Sequence, residues 1–201
     1  MTGSGAPGNR KPLLEDNMNH DEVIDHYRHK HETDPGFSKG SALYKHIPRI
    51  ASYVQTFRLR SVLDYGCGKA SFWKINSVML YGIFETFDTP LKVDLYDPAI
   101  PEYSTLPDRR YDLVVCTDVL EHVLEDEVPD TLYNIIKRSR KLVYLNISTI
   151  PATKTFPNGT NLHLTIKPKK WWLAKIKECE ERYVRESNAH VCVAVYFDDE
   201  R

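Results

Sequence analysis

The most specific chemical signal in the sequence is a glycine turn. The segment Asp64-Tyr65-Gly66-Cys67-Gly68 follows an apolar run at residues 61–63 and precedes residues that can form a helix. Two glycines allow the main chain to turn tightly and to approach a ligand closely, and the first amide groups of a helix can bind a polar ligand. The segment therefore predicts a cradle for a nucleotide-like cofactor.

Three classes of cofactor compete for this turn. A P-loop needs four residues between its glycines, followed by Lys and then Ser or Thr, and the chain lacks that spacing. A dinucleotide fingerprint needs a third glycine where the chain has Ser71, which leaves it as a weaker alternative. Asp64 favours a cationic nucleoside, because a carboxylate attracts the sulfonium and amino groups of S-adenosylmethionine and repels a pyrophosphate.

A second group of polar residues could remove a proton from a substrate. Glu121 and His122 come shortly after the apolar run at residues 111–116. His163 lies between two leucines in the long segment 148–168, and loops of this length in compact domains are often functional. A histidine within hydrogen-bond reach of a hydroxyl is a suitable general base. We therefore predict catalytic roles for Glu121, His122 and His163, with capping, packing or loop anchoring as the alternative.

The elements that would position these residues alternate between strand and helix. Four apolar stretches predict buried strands, at residues 61–65, 92–96, 111–116 and 141–146. Three segments between and after them predict helices, at residues 71–84, 128–139 and 169–181. This alternation is typical of an α/β fold, a three-layer sandwich in which helices cover both faces of a mostly parallel sheet. Residues 183–187 and 190–197 read as two strands in a hairpin, so we expect the last strand to be antiparallel.

The N-terminal part is predicted to be organised differently. Residues 1–19 are rich in small and polar residues and predict a disordered tail. Residues 20–58 predict a helical cover that can close over the site, because two segments there carry apolar residues at helical spacing. Residues 59–201 then form the main domain.

The composition and charge of the chain argue against several other classes of protein. The chain has 201 residues, 41% hydrophobic and 27% charged, with a formal net charge of −1, which is typical of a globular domain without a general preference for nucleic acid or anionic lipid. The most apolar stretch is much shorter than the roughly 20 residues that a membrane span needs, and the N-terminus lacks the apolar segment of a secretory signal. We therefore expect a cytoplasmic protein without a membrane span.

The spacing of cysteine and histidine indicates no metal frame. The four cysteines form no Cys-x-x-Cys pair, which argues against structural zinc and against a disulfide framework. The histidines at positions 20, 26, 29 and 31 match no cysteine or carboxylate pattern and are expected at solvated positions of a helix. We therefore expect reduced thiols and no bound metal.

The glycine turn and residues 112–122 together resemble the first and fourth motifs of class I S-adenosylmethionine-dependent methyltransferases, and the resemblance covers residues 61–197. It implies a Rossmann-like fold, S-adenosylmethionine as cofactor and methyl transfer as the reaction. Residues 37–40, 156–159 and 161–165 resemble a bacterial and phage subgroup that acts on surface polysaccharides or small molecules.

The resemblance also implies roles for individual residues. Asp97, at the end of the second strand, is expected to bind the ribose hydroxyls, with Asp94 as the alternative because the spacing from Asp64 is unusually long. The usual third strand and its adenine-binding acid are hard to find before Tyr111. The other predicted cofactor contacts are Asp64, Tyr65, Gly66, Cys67, Gly68, Pro98, Asp118, Val119 and Leu120.

The function we predict is methylation of an oxygen on a sugar, a glycan or another small molecule. Asn146, Phe37 and Lys39 are candidates for contact with that substrate. Basic residues at 137–141 and 167–170 leave methylation of nucleic acid or protein as an alternative, although the net charge makes nucleic acid unlikely. A non-catalytic cofactor-binding subunit is a further alternative, and the sequence does not indicate an oligomeric state.

Overall fold

The computed structural model describes residues 18–38, 42–75 and 91–199. Its strands are β1 (Ser61–Tyr65), β2 (Lys92–Tyr96), β3 (Tyr111–Thr117), β4 (Ser139–Ser148) and β5 (Cys192–Asp198). Its helices are α1 (His20–Thr33), α2 (Ala42–Thr56), α3 (Ser71–Ile75), α4 (Val128–Arg138) and α5 (Lys169–Ser187). The predicted tail up to residue 17, Lys39 and residues 76–84 of a predicted helix lie outside the described residues.

The described strands form one sheet in the order β2-β1-β3-β4-β5, and every neighbouring pair is parallel. The predicted bounds of β1 and β2 are confirmed without change, whereas β3 and β4 extend beyond the predicted runs. Between β2 and β3 the chain forms a 3-10 helix at Pro101–Tyr103 in place of a further strand. β2 is therefore an edge strand of the described sheet.

The predicted antiparallel last strand is wrong. β5 pairs with β4 in parallel, because residues 183–187 continue helix α5 instead of forming the first strand of a hairpin. The buried residues of α5 recur at intervals of four, three and four, and this helical period runs on through Tyr183. Asn188, in the left-handed conformation with φ of 53°, ends the helix. A helical crossover from β4 to β5 brings the chain back in the same direction.

Helices pack on both faces of the sheet. On one face, α4 and α5 bury an apolar cluster that includes Leu132, Ile135 and Trp172. On the other face, α2 buries Ile50 and Val54 against residues of β1, β3 and β4. The fold is therefore the predicted Rossmann-like α/β sandwich, and α2 shares its core. The division of the chain at residue 58 stays a prediction.

The parallel strands bring their carboxyl ends to one edge of the sheet, which is where open α/β sheets bind ligands. The glycine turn follows β1, Asp97 follows β2 and Asp118 follows β3 at this edge. None of the described helices is both long and apolar enough to cross a membrane.

The two faces of α5 give a stability prediction. Ile176 is 4% exposed in the core, whereas Leu173 on the same helix is 48% exposed. We expect Ile176→Ala to lower the free energy of unfolding by about 2–5 kcal/mol, because it removes buried methyl groups and leaves a cavity. Leu173→Ala, the control, should change it by less than about 0.5 kcal/mol. Urea unfolding measures both, and equal losses would contradict the assigned face of α5.

Candidate active site

A cavity of about 350 Å³ lies between this edge of the sheet and helix α1. Many of the predicted site residues line it: Phe37, Asp64, Tyr65, Gly66, Cys67, Asp97, Pro98, Asp118, Val119 and His122. The other predicted site residues that the structure describes do not line it: Gly68, Leu120, Glu121, Asn146 and His163. The cavity therefore joins the glycine turn to the segment that follows β3.

The two glycines of the turn are needed for contacts within the protein. Gly66 has a φ of +85°, and a Cβ atom there would lie 2.2 Å from Val119 Cγ2. Gly68 has a φ of +54°, and a Cβ atom there would lie 2.5 Å from the main-chain oxygen of Ser38. Gly66 therefore lets the turn after β3 pack against the turn after β1, and Gly68 lets the segment after α1 reach the glycine turn.

Asp97 holds the glycine turn in place. Its Oδ2 accepts a hydrogen bond from the amide of Gly68 at 2.9 Å, and its Oδ1 accepts one from the amide of Ala99 at 2.9 Å. Burial raises the pKa of this carboxyl group, and the two amide hydrogen bonds oppose that rise. Each carboxylate oxygen retains a second lone pair for a ligand hydroxyl. Asp94, the alternative, pairs instead with Arg109 at 2.7 Å.

Asp64 is a buried carboxylate that lines the cavity. Its Oδ2 accepts a hydrogen bond from Trp73 Nε1 at 2.7 Å. Burial raises its pKa to about 7; the Trp73 hydrogen bond opposes this, and the charge of Asp97 adds to it. Among the described residues no cationic side chain forms an ion pair with Asp64. Since a buried carboxylate is most stable beside a positive charge, the environment of Asp64 fits the cationic end of a ligand such as S-adenosylmethionine.

Glu121, His122 and His163 come together at the His122 end of the cavity, and one candidate ligand atom of each lies within 4.8 Å of the others. The rings of His122 and His163 meet edge to face with centroids 4.8 Å apart. The first two residues belong to the 3-10 helix Leu120–His122, and His163 comes from the loop after β4. The structure thus joins all three predicted catalytic residues.

Main-chain hydrogen bonds orient each of these side chains. The amide of Ser148 donates to Glu121 Oε1 at 3.0 Å. His122 Nδ1 lies 2.9 Å from the main-chain oxygen of Leu162, and His163 Nδ1 lies 2.6 Å from that of Ile150. A carbonyl oxygen can only accept, so Nδ1 of each ring carries the proton and Nε2 is left as the basic nitrogen.

Burial also sets the charge of this cluster. It raises the pKa of Glu121 to about 8, and the nearby charge of Asp118 adds to the rise. It lowers the pKa of His122 to about 4, and His163 contributes to the fall. These pKa values leave Glu121 mostly protonated and His122 uncharged near pH 7. A cation brought to the cluster would favour ionised Glu121.

Asn146 is placed beside two carboxylates. Its amide nitrogen donates to Asp118 Oδ1 at 2.9 Å and to Asp198 Oδ2 at 3.1 Å. Its Oδ1 is buried and accepts no hydrogen bond within the described part of the chain. Its predicted contact with a substrate hydroxyl stays a prediction, and Lys39 cannot be placed because it lies outside the described residues.

Tyr27 connects the cover to the cluster, although the sequence does not indicate it as a site residue. The Tyr27 hydroxyl donates to the main-chain oxygen of Leu162 at 2.7 Å and lies 2.8 Å from His122 Nδ1. His31 also lines the cavity, although its position was predicted to be solvated. Their spacing in the sequence could have indicated this placement. Val23, Tyr27 and His31 follow one another at intervals of four and so share one face of α1.

Residues 38–193 match a sequence profile described as a methyltransferase domain. The chain belongs to this methyltransferase family. The match confirms the class I S-adenosylmethionine-dependent methyltransferase predicted from the glycine turn, with S-adenosylmethionine as its cofactor. The methyltransferase match spans both the glycine turn and the cluster of Glu121, His122 and His163.

Two curated relatives of this methyltransferase share 29% identity with it over 122 residues. Both are named Ubiquinone biosynthesis O-methyltransferase, from Rickettsia bellii strains OSU 85-389 and RML369-C. The alignment covers 54% of this chain and 49% of each relative, so the chain spans about half the length of the curated relatives it matches.

Two solved structures are also similar to this methyltransferase. The plantazolicin methyltransferase BpumL, crystallised with a pentazolic desmethylPZN analog and SAH, is 12% identical and has a TM-score of 0.39. That similarity covers 83% of this chain and 77% of the other. PigF with SAH is 15% identical, with a TM-score of 0.25 and coverage of 60% and 47%. Both TM-scores lie below 0.5.

The contact of Gly66 with Val119 gives a prediction with a matched control. Gly66 and Gly159 both have positive φ, +85° and +88°, but a Cβ atom at Gly159 would meet nothing within 4 Å. Gly66→Ala should therefore suffer backbone strain and a clash, whereas Gly159→Ala suffers strain alone. We expect Gly66→Ala to lower the free energy of unfolding by at least about 2 kcal/mol more than the control does. Equal losses in urea unfolding would exclude the clash.

The raised pKa of Asp64 predicts pH-dependent cofactor binding. A cationic ligand prefers the ionised carboxylate, which with a pKa of about 7 forms mainly above pH 7. The affinity for S-adenosylmethionine, whose sulfonium and amino groups are both positively charged, should rise about tenfold in calorimetry from pH 6 to pH 8 as the ionised fraction grows. Asp64→Asn should bind more weakly and lose this pH dependence, and an unchanged profile would contradict the role of Asp64.

The same shift predicts a change in stability without the cofactor. The pKa of the Asp64 carboxyl group rises on folding from 3.8 to about 7. The free energy of unfolding of the protein therefore falls as the pH increases through that interval. At pH 8 we therefore expect Asp64→Asn to raise the free energy of unfolding by about 2–4 kcal/mol. At pH 4 the variant and the native chain should be similar, and a destabilised variant at pH 8 would contradict the assignment.

Proposed function

We propose that this domain transfers the methyl group of S-adenosylmethionine to a hydroxyl oxygen of a small molecule. The observation that carries the proposal is the placement of His122, which lines the same cavity as the glycine turn, while Glu121 and His163 lie beside His122 just outside the cavity lining. A cofactor and a hydroxyl acceptor bound in one cavity would meet beside groups that can handle a proton. The two curated relatives, which are named O-methyltransferases, support an oxygen acceptor.

The cofactor is proposed to bind along the edge formed by β1, β2 and β3. Asp97 would accept hydrogen bonds from the ribose hydroxyls, and Asp64 would attract the positively charged end. Val119 lines the cavity and would contact an apolar part of the cofactor. Bound S-adenosylmethionine supplies an activated methyl group, so the protein chiefly has to align the acceptor and keep water out.

The acceptor is proposed to bind between the cluster and α1. Its hydroxyl would lie near Nε2 of His122 or His163, because Nδ1 of each ring is held by a main-chain oxygen. Tyr27 and Phe37 present stacked rings 6.2 Å apart on this side of the cavity. Flat apolar faces of this kind suit a ring-bearing acceptor, such as a sugar or a phenol. A sugar, a glycan or another small molecule with such a ring is the substrate we predict.

Two features favour a small acceptor over a nucleic acid. Residues of α1 line the cavity, so a large folded substrate would have to displace this helix. The basic segments are partly neutralised, since Lys141 pairs with Asp112 and Lys167 pairs with Glu125. Phosphate binding there would compete with these carboxylates.

We also propose a cytoplasmic location. Cys67, Cys116 and Cys179 are buried as thiols, and burial raises the pKa of each. Thiols of this kind persist in a reducing compartment. Expression with fractionation of the native host would test the location.

Substitution of the two histidines tests the function. We expect His122→Ala and His163→Ala to lower methyl transfer roughly 10²- to 10⁴-fold, the range for loss of a proton-transfer group, with little change in S-adenosylhomocysteine affinity. Exposed His190→Ala is the control and should keep full turnover. The assay follows labelled methyl groups into fractionated glycans, small metabolites and RNA.

The outcomes separate the alternatives. Full turnover in both variants would contradict the catalytic assignment. Label in RNA alone would favour the nucleic-acid alternative. Cofactor binding without transfer to any fraction would favour a non-catalytic subunit.

A further inference from the structure

The cluster of Glu121, His122 and His163 has the composition of a metal site. It offers two imidazole nitrogens and one carboxylate oxygen, drawn from two separated parts of the chain. Two histidines and one glutamate form a known ligand set for Zn²⁺ sites that keep a position open for substrate. Sequence analysis expected no metal, because only folding brings His163 beside Glu121 and His122.

Each side chain of the cluster is also oriented as metal ligands are. Metal-binding histidines usually donate their second ring N–H to a carbonyl or carboxylate, which fixes the tautomer. His122 and His163 both do so through Nδ1, to Leu162 and Ile150, and this directs metal binding to Nε2. Glu121 is held in the same way, since its Oε1 accepts the amide hydrogen of Ser148.

Glu121 gives the independent sign that a cation belongs here. Its side chain is fully buried, and its Oε2 has no hydrogen-bond partner among the described residues. A buried carboxylate oxygen without a partner is costly. The charges of Asp118 and Asp198 act on the same group, and Lys45, whose positive charge also interacts with Glu121, is paired with Asp198. A divalent cation would satisfy Oε2 and offset this negative charge.

We propose that Glu121 Oε2, His122 Nε2 and His163 Nε2 bind a divalent cation of the Zn²⁺ or Mn²⁺ type. Imidazole and carboxylate ligands suit both ions, whereas Mg²⁺ prefers oxygen ligands alone. Ligand atoms on a tetrahedral ion lie roughly 3.4 Å apart, closer than the 4.8 Å within which one candidate atom of each residue lies, so the cluster would contract when the ion binds. His163 lies on a loop, which can supply that movement.

Because His122 lines the cavity, we place the open side of the ion toward an acceptor bound there. This extension rests on the proposed function. With both Nε2 atoms bound to the ion, the ion would replace the histidines as the group that activates the acceptor: it would lower the pKa of a bound hydroxyl, whose proton would pass to bulk solvent. The oxygen then forms a bond to the methyl carbon as the carbon–sulfur bond breaks, and the electron pair of that bond stays on sulfur. The products are the methyl ether and S-adenosylhomocysteine.

Metal binding by itself provides the first test. We expect the chelator-treated full chain to bind one equivalent of Zn²⁺ or Mn²⁺ in calorimetry and to unfold at a higher temperature when either is present. Mg²⁺ should bind much more weakly. Glu121→Gln, which keeps the shape of the side chain, and His163→Ala should each weaken binding at least about 100-fold.

Exposed His190→Ala is the matched control and should bind as the native chain does. Unchanged metal affinity in both Glu121→Gln and His163→Ala would overturn the proposal. If His163→Ala fails to fold, Glu121→Gln alone decides the test. Native affinity of Glu121→Gln for S-adenosylhomocysteine then shows that this variant is folded.

Turnover of the same samples separates this inference from the proposed function. Chelation should lower methyl transfer at least about 100-fold, and Zn²⁺ or Mn²⁺ should restore it. Full transfer by metal-free protein would overturn the metal site and leave the O-methyltransferase function standing. Specific metal binding without transfer to any hydroxyl acceptor would support the site and overturn that function.

Discussion

The site depends on the close contact between Gly66 and Val119. This contact lets the turns after β1 and β3 pack without a side chain between them. The Gly66 amide then reaches the main-chain oxygen of Tyr96 at 2.7 Å, which ties the turn to the end of β2. Three strand ends are thereby held as one surface. The two glycines are needed for packing within the protein, and the surface formed by the three strand ends is where we propose that the cofactor binds.

Three buried carboxyl groups are the second constraint at this edge of the sheet. Asp64, Asp97 and Glu121 are all buried, and burial raises the pKa of each carboxyl group. Main-chain amides support Asp97 on both oxygens, whereas Asp64 and Glu121 have fewer partners. Near pH 7 the free protein therefore keeps Glu121 mostly protonated and Asp64 only partly ionised, at the two places where a metal ion and a cationic cofactor are proposed to bind. A cation bound at either place would stabilise the ionised carboxylate.

The cover takes part in the site through its inward face. Tyr27 reaches the main-chain oxygen of Leu162, so α1 contacts the loop that carries His163. Ser38 accepts a hydrogen bond from the amide of Lys69 at 3.0 Å, which attaches the segment after α1 to the glycine turn. The cover therefore borders both the proposed cofactor side and the proposed acceptor side of the cavity.

The sequence by itself determined the α/β class, the bounds of β1 and β2, the glycine turn and its cofactor. These features follow from the periodicity of apolar residues and from glycines and acidic residues that lie close together in the chain. A local sequence pattern is therefore enough to predict them. Only the tertiary structure decided that β5 is parallel, because a helical period and a strand alternation look alike over residues 183–187. Only it joined Glu121 to His163 and Tyr27, since contacts between residues far apart in the chain leave no local pattern.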